Sequence, residues 1–267
     1  MKINPNLLLL SKRQQAILDL LADEIVARVR DLASAFNVDA MTIRRDLNDL
    51  QQLGLVARMH GECRLSERGA FDLAFKESRR QHRAAKKSIG EFAAQLVKPG
   101  QVVLIDSGTT PLAVANALMD RGADKITIVT SALTILWELY DAPQLKVIAL
   151  GGDLRRETGQ LYGPITETVL SQLVIDIAFL GADGINLERG FGTTTAEAAR
   201  LAGTMAASAC DWYVVADASK IGQSAPFVYA PLAKAKLITD RLTPQQKILF
   251  KKKGLKYIEA DKLRRKA

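Results

Sequence analysis

The apolar positions change their period along the chain, and the change predicts two kinds of structure. Between Asp39 and Gly61, in DAMTIRRDLNDLQQLGLVARMHG, Ile43, Leu47 and Leu50 recur at i, i+4 and i+7, the stripe of one amphipathic helix. At about 100° per residue, Met41, Arg45, Asn48 and Gln52 face away from that stripe, with Thr42 and Arg44 on its flanks. Asp39 is placed to cap this helix and Gly54 to end it in a left-handed conformation. Upstream, Ile17, Leu18, Leu20 and Leu21 predict a first helix capped by Ser11, Glu24 to Arg28 an extended link, and Leu32, Ala33 and Phe36 a second helix. After Gly54, the β-type run Leu55-Val56-Ala57 leads into Arg58, Met59, His60 and Gly61. The order is helix, turn, helix, β-wing.

From Leu65 to Lys98 the pattern predicts a loop that becomes a helix with basic residues at its start. From Gln101 onward short apolar runs alternate with helical ones, the pattern of a mostly parallel sheet covered on both faces. The strands are expected at 102–106, 126–130, 146–150, 176–182, 212–217 and 236–240, and the helices begin near Pro111, Ala132, Ile165, Ala196 and Pro244. The fold class is therefore α/β, with an N-terminal winged helix-turn-helix domain over 1–70 and a C-terminal sheet domain over 71–267.

Charge adds one qualification. The net charge is +8, but residues 1–64 carry nine basic against eight acidic side chains, 65–99 eight against four, and 100–267 twenty against seventeen. A nucleic-acid partner must therefore be met by placement, with Arg30, Arg44, Arg45, Arg58 and Arg64 on one surface, rather than by bulk charge. Paired arginines near the start of a short helix suit the major groove, where Arg reaches guanine bidentately or holds phosphates. The residues expected at DNA are Arg30, Met41, Thr42, Arg44, Arg45, Asn48, Arg58 and His60. The two cysteines, Cys63 and Cys210, match no metal spacing and imply a reduced, cytoplasmic setting. The run Leu7–Leu10 is too short for a signal core, and no membrane span, metal or cofactor is expected.

Ligands of open parallel sheets bind outside the carboxyl ends of the strands. There the sequence places Asp106-Ser107-Gly108-Thr109-Thr110, then Thr130-Ser131, Gly151-Gly152, Gly181-Ala182-Asp183-Gly184 and Asp217-Ala218-Ser219-Lys220. Gly108 and the hydroxyls open a helix, which makes a seat for phosphate or carboxylate. Asp106 and Asp183 suit sugar hydroxyls, and Lys220 suits a phosphate or a carbonyl oxygen. With Glu197, these residues are the expected ligand site.

The motif Thr42-Ile43-Arg44-Arg45-Asp46-Leu47, with Leu50, Gly54, Leu55, Arg58, His60 and Gly61, resembles the DeoR family of bacterial transcriptional regulators. The C-terminal part is similar to that family's sensor domain through Asp106 to Thr110, Gly151-Gly152, Tyr162-Gly163-Pro164, Asp176 to Ile185, Glu197-Ala198, Asp217 to Lys220 and Thr239-Asp240. Four positions depart from the pattern: Asp39 stands where Ser is usual, Glu62-Cys63 where Gly-Ala is usual, and Ser131 where Asn is usual. The resemblance implies a repressor of a carbohydrate uptake or catabolic operon released from operator DNA by a phosphorylated sugar, and the chain is expected to bind its operator as a homodimer or homotetramer.

The sensor domain in turn resembles type A ribose-5-phosphate isomerases, so a sugar-phosphate isomerase is the rival reading. Isomerisation needs a base at the carbon and an acid or cation at the carbonyl oxygen. Where those enzymes read Asp-Gly-Ala-Asp-Glu followed by a lysine segment, this chain has Leu180-Gly181-Ala182-Asp183-Gly184 and no lysine from Ile185 to Thr195. That pattern keeps binding groups and loses the catalytic ones, so no enzyme activity is expected. A ligand-independent DNA binder, the other alternative, has no use for five furnished strand ends.

Overall fold

The structure, a computed structural model, describes residues 10–24, 26–59, 61–122 and 125–260. Leu7 to Leu9 and His60 lie outside them. The chain divides into two compact units, one running through Ser78 and taking in residues 156–158, the other holding the remainder.

In the first unit the expected helix, turn, helix, wing order appears as α1 (Lys12–Asp23), β1 (Ala27–Arg28), α2 (Val29–Ala35), α3 (Ala40–Gln52), β2 (Val56–Met59) and β3 (Glu62–Leu65), and α4 (Glu67–Arg80) follows it. The stripe of α3 supplies the core: Ile43, Leu47 and Leu50 are fully buried against Ile17, Leu18, Leu21 and Leu32. Ser11 and Gln14 close a capping box on α1, Asp39 caps α3, and Gly54 follows α3 with φ +71°. Strands β1, β3 and β2 form the antiparallel wing, with Ala27 opposite Cys63 and Arg58 opposite Cys63 on the other side.

One expectation is revised here: the stretch from Leu65 does not begin as a loop, since helix α4 starts at Glu67, directly after β3 and Ser66. Ser66 Oγ accepts the Gly69 amide at 2.9 Å and starts α4. Gly69, which reads as a loop residue, is needed for contact, since a Cβ there would lie 2.0 Å from the Leu55 carbonyl oxygen. The helix breaks at His82, which takes the left-handed conformation at φ +51°.

The second unit begins with α5 (Arg83–Leu96) and continues through β4 (Val102–Ile105), α6 (Thr109–Asp120), β5 (Thr127–Thr130), α7 (Leu133–Leu139), β6 (Lys146–Ala149), β7 (Asp153–Arg155) and β8 (Gln160–Tyr162). It ends with α8 (Pro164–Ser171), β9 (Ile175–Leu180), β10 (Gly184–Asn186), β11 (Gly190–Thr193), α9 (Ala196–Ser208), β12 (Ala209–Val215), β13 (Phe227–Ala230), β14 (Lys236–Thr239), α10 (Pro244–Lys253) and β15 (Lys256–Glu259). Seven strands form one parallel sheet in the order β15-β14-β12-β9-β4-β5-β6. Its central strands are buried on both faces, Leu104 lying between Val129 and Ala178, which is why they read as unbroken apolar runs.

The order carries the functional consequence. From β4 the chain winds outward through β5 and β6, then returns to the other side of β4 with β9 and winds the opposite way. The carboxyl ends of β4 and β9 are therefore neighbours at a topological switch point, where a crevice opens between loops that leave in opposite directions. Helix α5 runs antiparallel to β4, so its first turns lie at the same edge. It packs backbone to backbone on α6, a Cβ at Gly90 falling 2.3 Å from the Ala113 carbonyl oxygen.

Candidate functional site

The exposed face of α3 is the one its periodicity indicates. Met41, Arg44, Arg45 and Asn48 are exposed. The hydroxyl and amide of Thr42 both donate to Asp39, at 2.9 and 2.8 Å, so Thr42 builds the helix start and holds the Asp39 carboxyl below its ordinary range. Arg58 of β2 donates to Asn48 Oδ1, which joins wing and helix into one surface. Helix α1 holds α3 from behind: Arg13 is ion-paired with the buried Asp46, and Gln14 donates to Asp49 at 3.2 Å. Arg30 stands apart on α2, exposed and paired with Asp31. The unusual Glu62-Cys63 pair is accounted for locally. Glu62 accepts from Arg28 at 3.0 Å across the wing, while Cys63 is core, its thiol donating to the Ala27 carbonyl and pushed up by burial.

At the switch point, Asp106 follows β4 with its carboxylate buried. Oδ2 accepts the Gly181 amide at 3.2 Å and Oδ1 the Gln160 side chain at 3.1 Å. Burial raises its pKa to about 6, against the pull of the Ser107 and Gly181 amides, and nearby Asp183 adds to the rise. Asp183 is exposed beside it, accepting from the Thr193 hydroxyl at 2.8 Å and the Thr194 amide at 3.2 Å. The buried Tyr229 hydroxyl donates to the Gly181 carbonyl at 2.7 Å and fixes the loop between them.

Gly108, with φ +117° and ψ 168°, is the N-cap of α6 and turns the half-buried Ser107 and Thr109 into the helix start; Thr110 is buried. This backbone region is open to glycine alone at low cost. Gly108→Ala is expected to lower stability by about 2 kcal/mol, read as a lowered denaturation midpoint, and to weaken anion binding by displacing the first-turn amides.

The remaining expected ligand residues divide. Thr130 and Ser131 are fully buried; Thr130 Oγ1 accepts the Ala132 amide and Ser131 accepts from Gln160 at 3.2 Å, so Thr130 serves the turn and Ser131 the lining beneath Gln160. Gly151 accepts the Thr166 hydroxyl through its carbonyl. Gly152 sits where a Cβ would meet Thr166 Oγ1 at 2.1 Å and the Tyr162 carbonyl oxygen at 2.4 Å, so this pair makes a packed corner. Glu197, exposed on the first turn of α9, is paired with Arg155 at 3.2 Å. Lys220 is half-buried in a short 3-10 turn, Ala218–Lys220, after β12.

Three residues beyond those expectations belong to this edge. Lys86, on the first turn of α5, is buried, and its ammonium lies in the field of Asp217 and Lys220. Burial lowers its pKa, Asp217 opposes this and Lys220 adds to it. Asp217 Oδ1 is spent on Ser219, and its buried Oδ2 accepts no hydrogen bond among the described residues. Gln160 and Arg155 are a cross-strand pair of the β7–β8 hairpin. Gln160 bridges Asp106 and Ser131, while Arg155 donates to Thr195 Oγ1 at 2.7 Å and lies 5.5 Å from the Tyr162 ring centroid. In sequence Lys86 is one of many basic residues between 76 and 87, and only the antiparallel course of α5 singles it out. Among the described residues no group of three or more His, Cys, Asp and Glu is placed to hold a metal, and no helix is long and apolar enough to cross a membrane.

Comparison with known proteins matches residues 13–68 to the DeoR-like helix-turn-helix domain family and residues 81–241 to the DeoR C terminal sensor domain family. A putative aga operon transcriptional repressor of Escherichia coli O157:H7 is 32% identical over 80% of this chain and 80% of its own length. The glycerol-3-phosphate regulon repressor of Escherichia coli K12 is 31% identical over 66% of this chain and 69% of its own. Among solved structures, ribose 5 phosphate isomerase A from Neisseria gonorrhoeae aligns at 19% identity and TM-score 0.37 over about half of each chain, 51% and 52%. A likeness of that extent carries no functional argument. The sensor-domain match alone spans more than half of the 267 residues, and both matched families are those of transcriptional regulators. With its winged reading head, its α/β sensor unit and both family matches, the chain belongs to the DeoR family of DNA-binding transcriptional regulators.

Proposed function

We propose that this regulator represses a carbohydrate uptake or catabolic operon and leaves its operator when a phosphorylated sugar binds at the switch-point crevice. The observation that carries the reading is the pairing of charges along one sheet edge. Buried Lys86 and half-buried Lys220 repel each other beside Asp217 at the end of β12, Asp183 follows β9 one strand over, and Asp106, crowded by Asp183, follows β4 two strands over, just before the α6 N-terminus. A dianionic phosphate relieves the first strain, and sugar hydroxyls donating to the carboxylates relieve the second. Neighbouring strands are about 4.8 Å apart, so the crevice from the end of β12 to the end of β4 has the reach of a small sugar phosphate, with the lysines, the two carboxylates and the first turn of α6 along it. Gly108 and Thr109 seat the phosphate with the lysines. The names of the aga and glycerol-3-phosphate repressors favour the same role.

The head, residues 1–70, acts as part of a homodimer or homotetramer in the cytoplasm, with Arg44 and Arg45 at bases or phosphates and Arg58 on the wing. The sensor, 71–267, biases the arrangement of heads. A tenfold loss of operator affinity requires about 1.4 kcal/mol of difference between the two states.

Fluorescence anisotropy on DNA from the gene's own upstream region, at fixed salt, with and without a panel of sugar phosphates and their free sugars, tests the proposal. Release by one phosphate and not by its free sugar is the expected result; tight binding indifferent to every phosphosugar removes the effector assignment. Arg45→Ala is expected to weaken operator binding about tenfold while leaving effector binding intact. A parallel loss of both contradicts the division of labour between the two units.

A further inference from the structure

Among its described residues the first unit leaves two methionines largely bare, Met41 at 64% and Met59 at 63% of full exposure, whereas the other large apolar side chains described there, Val26 apart, are covered or half-covered. Single exposed apolar residues are ordinary on a protein surface, so position matters more than exposure. Met41 is the second residue of α3, on the turn before Arg45 and on the same face as Arg45 and Asn48. In helix-turn-helix proteins the N-terminal residues of the second helix meet base edges in the major groove. A thioether side chain there has little to offer the hydrogen-bonding edges of the bases or the phosphates. The one apolar group that the major groove displays is the C5 methyl of thymine.

From this placement we infer that Met41 is a specificity-determining residue that packs on a thymine methyl in each operator half-site. The inference rests on α3 being the reading helix. Its flexible, polarisable side chain closes over a methyl without needing a fixed rotamer. Arg45 on the following turn is then free for guanine or phosphate, and Asn48, held by Arg58, stays with the wing. The surface thus divides into an apolar reader at the helix start and polar readers one and two turns along.

The test uses full-length protein and duplex sites selected by it from a random pool. Each thymine of a half-site is replaced in turn by deoxyuridine, which removes only the methyl. At one position the wild type is expected to lose about fourfold in affinity, the worth of one buried methyl-sized group. Met41→Ala is expected to bind the thymine site more weakly and to show no further loss with uracil there, while Met41→Leu retains most of the methyl preference. Since Met41 is exposed, neither variant should unfold the head, and an unchanged denaturation midpoint checks this. A wild type indifferent to uracil at every position overturns the inference, as does a uracil penalty that persists undiminished in Met41→Ala. A penalty that disappears in Met59→Ala instead assigns the methyl contact to the wing and equally overturns it. Failure to select any site from the pool would overturn the DNA-reading assignment of α3 itself, an outcome distinct from selection with uracil indifference.

Discussion

Lys86→Met should give a protein that binds its operator normally and is released by no sugar phosphate at concentrations that release the wild type. The substituted side chain keeps the length and the buried stem of lysine, so the turn at the start of α5 remains filled while the ammonium is lost. A charge-assisted hydrogen bond to a dianion is worth about 1.5–3 kcal/mol, and more where water is excluded. The expected loss of effector affinity is therefore about 100-fold, larger than that for the more exposed Lys220→Met. Two readouts separate the explanations. Titration calorimetry with the inducing phosphate measures the loss directly, and anisotropy with operator DNA shows that the head is intact. Combining both substitutions should cost less than the sum of the two, because Lys220 disfavours the charge on buried Lys86 and the two side chains act on the same bound group. Normal release by the Lys86→Met variant would place the phosphate elsewhere along the sheet edge.

The position of Lys86 also illustrates what a linear reading reaches. The reading head was legible because each of its signals is local: the stripe Ile43-Leu47-Leu50 fixes the buried face of α3, and Asp39 and Gly54 mark its ends within the same turn. The buried strands of the sheet were legible for a related reason, since burial on both faces leaves unbroken β-branched runs such as VVLI and TIVT, while edge strand β6 still reads KVIA, two of its four residues β-branched. What escaped depends on partners distant in sequence. Edge strand β15 is half polar, reading KYIE, and is a strand because β14 lies beside it. The β7–β8 hairpin and the β10–β11–β13 sheet hold only three or four residues per strand, too few to show a period. Gly69 reads as a helix breaker, and its helical role appears only against the Leu55 carbonyl. In the crevice, the loop residues Asp106, Gly108, Asp183 and Lys220 could be named because they directly follow strands. Gln160, which joins the Asp106 loop to Ser131 after β5, stands in a hairpin that no sequence pattern announces.

Asp106 makes both the stability and the sensing of the protein depend on pH. Its carboxyl is raised from an ordinary 3.8 to about 6, chiefly by burial, so the folded protein holds this proton more tightly than the unfolded chain does. Stability from this group is therefore fully present below pH 3.8 and is lost as pH rises towards 6. At about 1.4 kcal/mol per pKa unit the loss approaches about 3 kcal/mol. Asp106→Asn removes that dependence: the amide oxygen still accepts from Gly181, and Gln160 can turn its own carbonyl to meet the new N–H groups. The variant is expected to be more stable than wild type above pH 6, by up to about 3 kcal/mol, with a flatter profile between pH 4 and 6 in urea denaturation. Its response to sugar phosphate should move the other way. Only the ionised carboxylate accepts two sugar hydroxyls while keeping the Gly181 amide, so wild-type effector affinity should fall as pH drops below about 6, whereas the weakened affinity of Asp106→Asn should be flat over the same range. Stability and sensing would then be opposed at a single buried group, which stays charged at neutral pH at a cost to the fold and in doing so keeps an acceptor ready for the effector. If Asp106→Asn were both more stable and fully inducible, the carboxylate would have no part in recognition and the sugar would be read by Asp183 alone.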